Sequence, residues 1–521
     1  MLLTRREWYL AGLSGALLAL ALPPLPTGPL AWVALVPFLM AIERASPGRA
    51  ARIGFALGLV YHVGALYWIA FHVEIPWPLS ILSWLLASVI LALYTMVAAF
   101  GVRVAARWTG RAWAWTLPPI WVATEYARYT TEFAFPWSTI GHTQAGLLGL
   151  IQQADIWGVL GVSFWLCVLN VVAYRAVAAA LAAERRRPWQ YAGAFVLIVL
   201  ATATYGRFRL NELPAQPATT RIALVQPNVD METKWASGTG LDRTVDILRS
   251  QTLQIEPKSV DLVIWPETAI PDYVVYGLPS AYNIPGRVVN PRYRAMLGEI
   301  LGHTGVPLVT GTPAYDYERE EPFNSAAVIM PESLTVQTYD KRFLVPFGER
   351  VPYSRFLGFL DRLDLGIAHW TPGRSANLLR TPAGSFGVAI CFESVFPGIM
   401  RQFVREGADF LVVVTNDAWF GRTSLIYQHA EFAAFRAIES RVWIARAANT
   451  GISAFFDPWG RMVEKTPVFR QRTLTGTIGR REGTTLYLRW GDWIARLSAA
   501  FAVVAVVGGW WVGWRPRKRR R

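Results

Sequence analysis

Long apolar stretches dominate the N-terminal part of the chain and return near its end. A helix needs about 20 mostly apolar residues to cross the hydrocarbon core of a bilayer. Eight stretches approach or exceed this requirement, and each is predicted to be a membrane-spanning helix: 8–25, 29–43, 51–72, 78–102, 112–126, 157–183, 190–206 and 493–514. The pattern predicts a polytopic α-helical membrane domain with about eight spans.

The fifth of these stretches, 112–126, is the least regular. Pro118, Pro119 and Glu125 interrupt its apolar run, so a re-entrant segment is the alternative to a full crossing. Glu125 and the nearby Arg128 are ionisable residues close to the predicted outer interface. We expect them to be solvated or paired with each other rather than to form a functional site.

Arginine and lysine residues cluster beside the apolar stretches and indicate an orientation. The loops after the second, fourth and sixth spans carry them, as does the terminal tail 515–521, whereas the loop around Glu74 carries none. Cytoplasmic loops of membrane proteins are enriched in these residues. Both termini are therefore predicted to be cytoplasmic, which puts the stretch from 207 to 492 on the outer side of the membrane.

Composition agrees with a membrane protein, since 53% of the 521 residues are hydrophobic and only 17% are charged. The formal net charge of +15 would also suit a nucleic-acid partner. None is expected, because the basic residues flank apolar stretches and form no groove-reading motif. We predict an N-terminal transmembrane domain 1–206 with about seven spans, an outer domain 207–490, and a C-terminal helix with a basic tail 491–521.

The outer domain has a different pattern, in which short β-branched runs alternate with amphipathic or polar stretches. Continuous apolar runs of this length are typical of strands covered on both faces, so the pattern predicts an α/β domain. The predicted strands are 222–226, 260–265, 307–311, 385–390 and 410–415. The predicted helices are 242–254, 292–303 and 428–446.

Polar residues follow several of these strands where each strand ends: Glu267, Cys391, Glu393, Asn416 and Asp417. Ligands of open α/β sheets bind at the carboxyl ends of the strands. The sequence therefore predicts that these side chains share one site.

Cys391 is the candidate nucleophile of that site. The only other cysteine, Cys167, lies in an apolar run, so no disulfide is expected and Cys391 is predicted to be a free thiol. Attack of a thiol on an acyl carbon needs a base and a group that stabilises the oxyanion. Glu267, in the motif Trp-Pro-Glu, and Lys341 supply a carboxylate and an ammonium group outside the membrane.

Each of these residues also has a structural interpretation when it is taken alone. Glu267 could be a carboxylate at a helix N-terminus, and Lys341 a solvated charge at a strand edge. An acid, a cation and a free thiol on three segments together favour catalysis. His429 is expected to have a structural role, and no spacing typical of metal ligands is present.

The three motifs resemble the Glu-Lys-Cys triad of the nitrilase, or carbon–nitrogen hydrolase, superfamily. The chain as a whole is similar to the membrane-embedded apolipoprotein N-acyltransferase branch, including the motif 486–492 before the last span. The resemblance implies an α-β-β-α sandwich for the outer domain. It also implies Glu267 as base, Lys341 as oxyanion stabiliser and Cys391 as nucleophile, without metal or other cofactor.

The resemblance further implies the substrates. The thiolate would take the sn-1 acyl chain of a phospholipid, and the amine of a diacylglyceryl-cysteine at the N-terminus of an apolipoprotein would then attack the thioester. This is the last step of lipoprotein maturation in the bacterial inner membrane, with the catalytic domain in the periplasm. A monomer is expected.

Further positions are carried over from the family as supporting or substrate-binding residues: Glu349, Glu393, Trp235, Phe392 and Asn324. Glu349 and Glu393 are expected to position Lys341 and the loop of the nucleophile, and Trp235 to face lipid. Phe392 stands where the family suggests Tyr, and Phe343 where it suggests His. A hydroxyl at the first position and a catalytic histidine at the second are therefore excluded.

Two loops, 272–279 and 353–363, are apolar enough to act as lids that dip into the outer leaflet, although ordinary packing explains them as well. The alternative functions are a membrane-bound amidase or nitrilase, whose acyl-enzyme reacts with water, and a transporter or receptor with a non-catalytic outer domain. The intact Glu267, Lys341 and Cys391 argue against the transporter or receptor.

Overall fold

The computed structural model describes residues 3–212, 217–235, 239–278, 286–332, 335–353, 369–481 and 483–514. The chain divides into two compact units. The first comprises Met1–Thr131, Phe135–Glu212 and Arg489–Arg521, and the second comprises Glu132–Ala134 and Leu213–Leu488. The first unit is helical and the second is an α/β unit.

Apolar helices make up the first unit. The α-helices are Arg5–Leu20, Val36–Ile42, Pro47–Ala65, Trp77–Thr109, Leu117–Ala127, Leu148–Ile151, Ala154–Leu181, Arg187–Leu210 and Trp493–Trp514. Short 3₁₀ helices are Gly28–Trp32, Tyr67–Phe71, Gly110–Thr116 and Ile140–Gln144. Several apolar helices were expected from the sequence, and they are present.

Four stretches among the described residues are long and apolar enough to cross a membrane: Trp77–Ala127, Ala154–Leu181, Arg187–Leu210 and Trp493–Trp514. The other predicted spans coincide with shorter, less apolar or broken helices, so eight crossings stay a prediction. Pro118 and Pro119 lie in the first turn of the helix Leu117–Ala127. Proline is tolerated there, and these residues therefore begin a helix instead of interrupting one.

Glu125 and Arg128 are paired within the first unit and are not solvated. Both are only 4% exposed, and their side chains approach to 3.5 Å. The carboxylate also accepts a hydrogen bond from the backbone N–H of Ile140 at 2.8 Å, and Arg128 donates to the Ser138 hydroxyl at 3.0 Å. Of the two expectations for these residues, pairing is correct and solvation is wrong.

Two sheets form the centre of the second unit. The strands are β1 Thr220–Gln226, β2 Leu262–Ile264, β3 Val275–Gly277, β4 Arg287–Val289, β5 Leu308–Asp316, β6 Glu321–Ile329, β7 Thr335–Asp340, β8 Leu379–Thr381, β9 Gly384–Ile390, β10 Phe410–Thr415, β11 Ile444–Ala448, β12 Ala454–Phe456, β13 Met462–Lys465 and β14 Arg472–Ile478. The first sheet has the order β14-β1-β2-β5-β3-β4-β7-β6, and the second has the order β13-β12-β11-β10-β9-β8.

Parallel pairing at the centre of each sheet brings strand ends together. β1, β2 and β5 are parallel neighbours in the first sheet, and β9, β10 and β11 in the second.

The helices of this unit are Met231–Trp235, Thr239–Leu253, Pro291–Thr304, Pro397–Arg405 and Leu425–Ser440, with Leu486–Trp490 at its boundary in the sequence. Because helices pack on the outer faces of the two facing sheets, the unit is an α-β-β-α sandwich.

The helix predicted at 428–446 is wrong in its last six residues, 441–446. The helix ends at Ser440, because Arg441 adopts a left-handed conformation with φ of 48°, and Ile444–Ala448 is strand β11. A left-handed residue ends a helix, and β-branched residues such as Val442 and Ile444 favour the strand that follows. Arg446 therefore lies on a central strand of the second sheet.

The two predicted lid loops have different outcomes. Residues 354–368 lie outside the described part of the chain, so most of the loop 353–363 does too, as does residue 279 at the end of the loop 272–279. The described part of the latter contains strand β3, in which Val275 is buried, as is Val274 just before it. Its apolar character is explained by packing, and a role as a lid stays a prediction.

Candidate active site

Glu267 lies on a turn three residues beyond the end of the buried strand β2. The turn approaches β5 closely, since Ala269 N–H donates to the Gly311 carbonyl at 2.9 Å and Gly311 N–H donates to the Pro266 carbonyl at 3.1 Å. Glu267 is 5% exposed. Its carboxylate accepts from the Asn324 amide at 2.9 Å and from the Asn416 backbone N–H at 3.0 Å. These contacts hold the carboxylate in one orientation.

Lys341 follows directly on β7 and is buried between two carboxylates. Its Nζ lies 2.9 Å from Glu349 Oε1 and 3.4 Å from Glu267 Oε1, and the residue is 1% exposed. Burial by itself lowers the pKa of Lys341, but Glu349 and Glu267 outweigh it and raise the pKa above its ordinary value. Lys341 is therefore an ammonium group at neutral pH, and its interpretation as a solvated strand-edge charge is wrong.

Asn324 connects the two carboxylates. Its Nδ2 donates to Glu267 Oε1 and to Glu349 Oε1, both at 2.9 Å, and its backbone carbonyl accepts from Lys341 N–H at 2.8 Å. Glu349 also accepts from the Val345 N–H at 2.8 Å. The structure thus brings together Glu267, Lys341, Glu349 and Asn324, which lie on separate segments of the chain.

Cys391 begins the 3₁₀ helix Cys391–Val395 immediately after β9. Its φ of 51° lies in the left-handed region, which is uncommon for a residue other than glycine and is often found at functional sites. The residue as a whole is partly exposed. Burial of the sulfur and the Glu267 carboxylate raise the pKa of the thiol, against the opposing effect of Lys341. The resting group is therefore a thiol, which needs a base before it can attack.

Glu393 joins the turn of Cys391 to the segment of Lys341. It is 0% exposed and accepts from Arg342 N–H at 2.7 Å, from the Tyr339 hydroxyl at 2.8 Å and from Ile390 N–H at 2.9 Å. Burial raises its pKa, although these hydrogen bonds oppose the shift. Glu393 thereby connects the segment of Lys341 to the turn of Cys391, and its positioning role stays a prediction.

The two departures from the family pattern occur in one aromatic cluster. The ring of Phe343 stacks on Phe396 with centroids 4.5 Å apart, and the ring of Phe392 meets Phe396 edge-on with centroids 5.1 Å apart. Phe392 is 4% exposed. Packing therefore accounts for phenylalanine at both positions, one residue after Cys391 and two residues after Lys341.

His429 contacts the backbone of Cys391, the predicted nucleophile. Its Nε2 lies 3.1 Å from the Cys391 carbonyl oxygen, and its Nδ1 lies 2.8 Å from Asp417 Oδ1. The other oxygen of Asp417 accepts from the buried Arg446 at 3.0 Å. Burial raises the pKa of Asp417, but Arg446 and His429 outweigh it and lower the pKa below its ordinary value.

Trp235, the predicted lipid-facing residue, ends the helix Met231–Trp235. It is 43% exposed, and its ring centroid lies 6.5 Å from that of Trp419, which follows β10.

Within the described residues, no group of three or more His, Cys, Asp or Glu side chains could hold a metal ion.

Sequence reasoning missed Gly311, Lys234 and Arg446. Lys234 is 2% exposed, and its Nζ donates to the Glu267 carbonyl oxygen at 3.2 Å. Its place next to Trp235 was a usable signal. Arg446 was missed because the sequence pattern assigned it to a helix. Gly311 was missed because it was the last residue of the predicted strand 307–311, whereas β5 continues to Asp316.

An α-β-β-α sandwich that holds a carboxylate, an ammonium group and a thiol at its strand ends defines a carbon–nitrogen hydrolase fold and site. Residues 221–486 match the family model for carbon-nitrogen hydrolases. Residues 14–172 match the model for the apolipoprotein N-acyltransferase N-terminal domain.

Curated relatives match the chain over almost its whole length. It is 38% identical over 510 residues to apolipoprotein N-acyltransferase of Geobacter metallireducens, covering 96% of this chain and 94% of the relative. It is 34% identical over 541 residues to the protein of that name from Chlorobaculum tepidum, covering 97% of each. A third, from Azotobacter vinelandii, is 31% identical over 532 residues, covering 99% of this chain and 97% of the relative. The chain belongs to the apolipoprotein N-acyltransferase family and is an acyltransferase.

Proposed function

We propose that this acyltransferase moves the sn-1 acyl chain of a phospholipid, through a thioester on Cys391, to the N-terminal amine of diacylglyceryl-cysteine on apolipoproteins. The observation that carries the proposal is the cluster of Glu267, Lys341 and Glu349, in which Glu267 and Lys341 interact electrostatically with the thiol of Cys391. The relatives named as apolipoprotein N-acyltransferases support the choice of substrates.

In the first half-reaction, the Glu267 carboxylate takes the proton of the Cys391 thiol, and the sulfur attacks the ester carbonyl carbon. Lys341 stabilises the negative charge on the carbonyl oxygen as the tetrahedral intermediate forms. The intermediate collapses with cleavage of the ester C–O bond. Glu267 returns the proton to the departing oxygen, which releases a lysophospholipid and leaves the acyl chain as a thioester.

In the second half-reaction, the α-amino group of the apolipoprotein attacks the thioester carbon and loses a proton to Glu267. Cleavage of the C–S bond gives an amide, and Glu267 protonates the departing sulfur. The raised pKa of Cys391 makes the thiolate a poor resting state, which suits a base that works in both directions. No step requires a metal or a nucleotide.

Asn324, Glu349 and Glu393 act as positioning residues in this proposal. Asn324 and Glu349 hold Glu267 and Lys341 in a fixed relation, and Glu393 holds the loops of Lys341 and Cys391 together. Trp235 contacts a lipid chain, in keeping with its exposed indole ring. Phe392 contributes packing rather than a hydroxyl group.

We further propose that the protein lies in the bacterial inner membrane with about eight spans, both termini in the cytoplasm and the catalytic domain in the periplasm. The basic loops between the apolar stretches support this orientation. A monomer is the proposed active form, because Glu267, Lys341 and Cys391 come from a single α/β unit of one chain.

Intact-mass analysis of the purified enzyme with phospholipid tests the nucleophile. We expect a fatty-acyl adduct on the wild type and on the control Cys167→Ala, which removes the other, buried cysteine, but none on Cys391→Ala. An adduct that persists in Cys391→Ala would refute the assignment.

The hydrolase alternative differs only in the acceptor of the acyl group. Addition of a diacylated lipopeptide to the acyl-enzyme should give a triacylated peptide by mass spectrometry. Release of free fatty acid without acylation of the peptide would identify a hydrolase instead.

A further inference from the structure

Lys234 is a buried lysine that comes directly before the exposed Trp235. The short helix Met231–Trp235 is capped by Asp230, whose carboxylate accepts from the Thr233 backbone N–H at 2.7 Å. Successive helical side chains point about 100° apart, since a helix has about 3.6 residues per turn. Lys234 is accordingly 2% exposed while Trp235 is 43% exposed.

The ammonium group of Lys234 reaches the turn that carries the base. Its Nζ donates to the backbone carbonyl of Glu267 at 3.2 Å. The next residue, Thr268, has φ of 45°, so the turn is in a conformation that needs support from its surroundings. A hydrogen bond from a charged donor is among the stronger interactions that can provide such support.

A second set of contacts joins the residues just before this helix to Glu267. Asn449 binds both the N–H and the carbonyl of Val229, at 3.0 and 2.8 Å, and donates to the Asn416 side chain at 2.9 Å. The backbone N–H of Asn416 donates to the Glu267 carboxylate at 3.0 Å. The segment 229–235 is thus linked to both the backbone carbonyl and the carboxylate of Glu267.

The charges of the catalytic cluster give Lys234 a further role. Glu267 and Glu349 share the single ammonium of Lys341, so the ionised trio carries an excess of one negative charge, and formation of a thiolate adds another. Buried charges are costly unless opposite charges lie nearby. Lys234, which donates to the backbone carbonyl of Glu267, places a second ammonium group on the turn that carries this carboxylate.

We propose that Lys234 is a positioning residue of the acyl transfer, which holds the turn of Glu267 and supplies the second buried cation of the catalytic cluster. Lys234 also connects Glu267 to the helix Met231–Trp235, in which the neighbouring Trp235 contacts lipid. This inference rests on the proposed roles of Glu267, Trp235 and Cys391.

The test compares Lys234→Met, which removes the charge, with Lys234→Arg, which keeps it, and with Lys465→Met on the exposed strand β13 as the control. All variants carry Cys167→Ala, so that Cys391 is the only thiol of a chain with two cysteines. Two quantities are measured against pH: the single-turnover rate of acyl-enzyme formation with phospholipid, and the rate of Cys391 alkylation by iodoacetamide.

Loss of a cation disfavours the anionic forms of the carboxylate and the thiol. In Lys234→Met, the acidic limb of acyl-enzyme formation and the midpoint of alkylation should both move up by about one pH unit, a tenfold change. The acylation rate at neutral pH should fall about tenfold. Lys234→Arg and Lys465→Met should keep the wild-type midpoints, since both retain the buried positive charge at position 234.

Unchanged midpoints in a folded Lys234→Met protein, or equal shifts in Lys234→Met and Lys234→Arg, would overturn the inference. If Lys234→Met does not fold, Lys234→Arg decides: wild-type midpoints support the role of the charge, and a shifted midpoint contradicts it. Alkylation needs no acyl donor. A wild type that forms no acyl-enzyme therefore contradicts the proposed function, while the alkylation profile still tests Lys234.

Discussion

Replacement of Gly311 by alanine should displace the base Glu267 without touching any catalytic side chain. A Cβ at position 311 would lie 2.5 Å from Glu267 Cα, 2.7 Å from the Pro266 carbonyl oxygen and 2.8 Å from Thr268 N. Carbon atoms pack at about 3.5–4.0 Å, so the overlap with Glu267 Cα is about 1 Å or more. All three neighbours are backbone atoms, which cannot rotate away, and the turn itself must therefore move.

The structure sets the size of both expected effects. Overpacking of this kind costs about 1–3 kcal/mol of stability. A displacement of about 1 Å at a catalytic group lowers the rate by about 10²-fold. The rate of acyl-enzyme formation should therefore fall by about two orders of magnitude, with a lower midpoint of thermal unfolding.

Gly298→Ala is the matched control. Gly298 lies inside the helix Pro291–Thr304, and nothing lies within 4 Å of an added Cβ. Alanine there should stabilise the helix by up to about 1 kcal/mol and leave the rate unchanged. A Gly311→Ala enzyme with wild-type rate and stability would refute the claim that this close approach positions Glu267.

Three further predictions concern Glu393, Asp417 and Cys391. Glu393→Gln replaces one acceptor oxygen by a donor, so a buried N–H such as that of Ile390 loses its partner. The free energy of unfolding should fall by about 1–3 kcal/mol, measured by thermal unfolding. An unchanged unfolding midpoint would contradict the hydrogen-bond network of Glu393. Burial raises the pKa of Asp417, yet Arg446 and His429 outweigh it and lower the pKa. Ionised Asp417 therefore stabilises the fold above the ordinary pKa of about 3.9, and this stabilisation is lost as pH falls through the lower folded value. The difference in melting temperature between wild type and Asp417→Asn should therefore stay constant from about pH 5 to about pH 8. A difference that narrows in this range argues against a lowered pKa of Asp417 in the folded protein. Burial and the Glu267 carboxylate raise the pKa of Cys391, so iodoacetamide should react slowly at neutral pH and faster as the pH rises; fast, pH-independent alkylation would indicate a resting thiolate instead.

The amino-acid sequence by itself determined the features that depend on composition and local pattern. Long apolar stretches predicted apolar helices, and short β-branched runs predicted the strands β1, β9 and β10 close to their observed bounds. The motifs around Glu267, Lys341 and Cys391 indicated the family before any geometry was known, because each motif is contiguous in the chain.

Tertiary structure alone decided which residues share an environment. Asn324 meets Glu267 across 57 positions of sequence, and Arg446 meets Asp417 across 29. The order and register of the strands create these contacts, and local periodicity carries no information about either. The same holds for Gly311, where a side chain is excluded only because β5 passes close to the turn of Glu267. It also holds for Lys234, whose burial depends on the residues that surround it in the folded site.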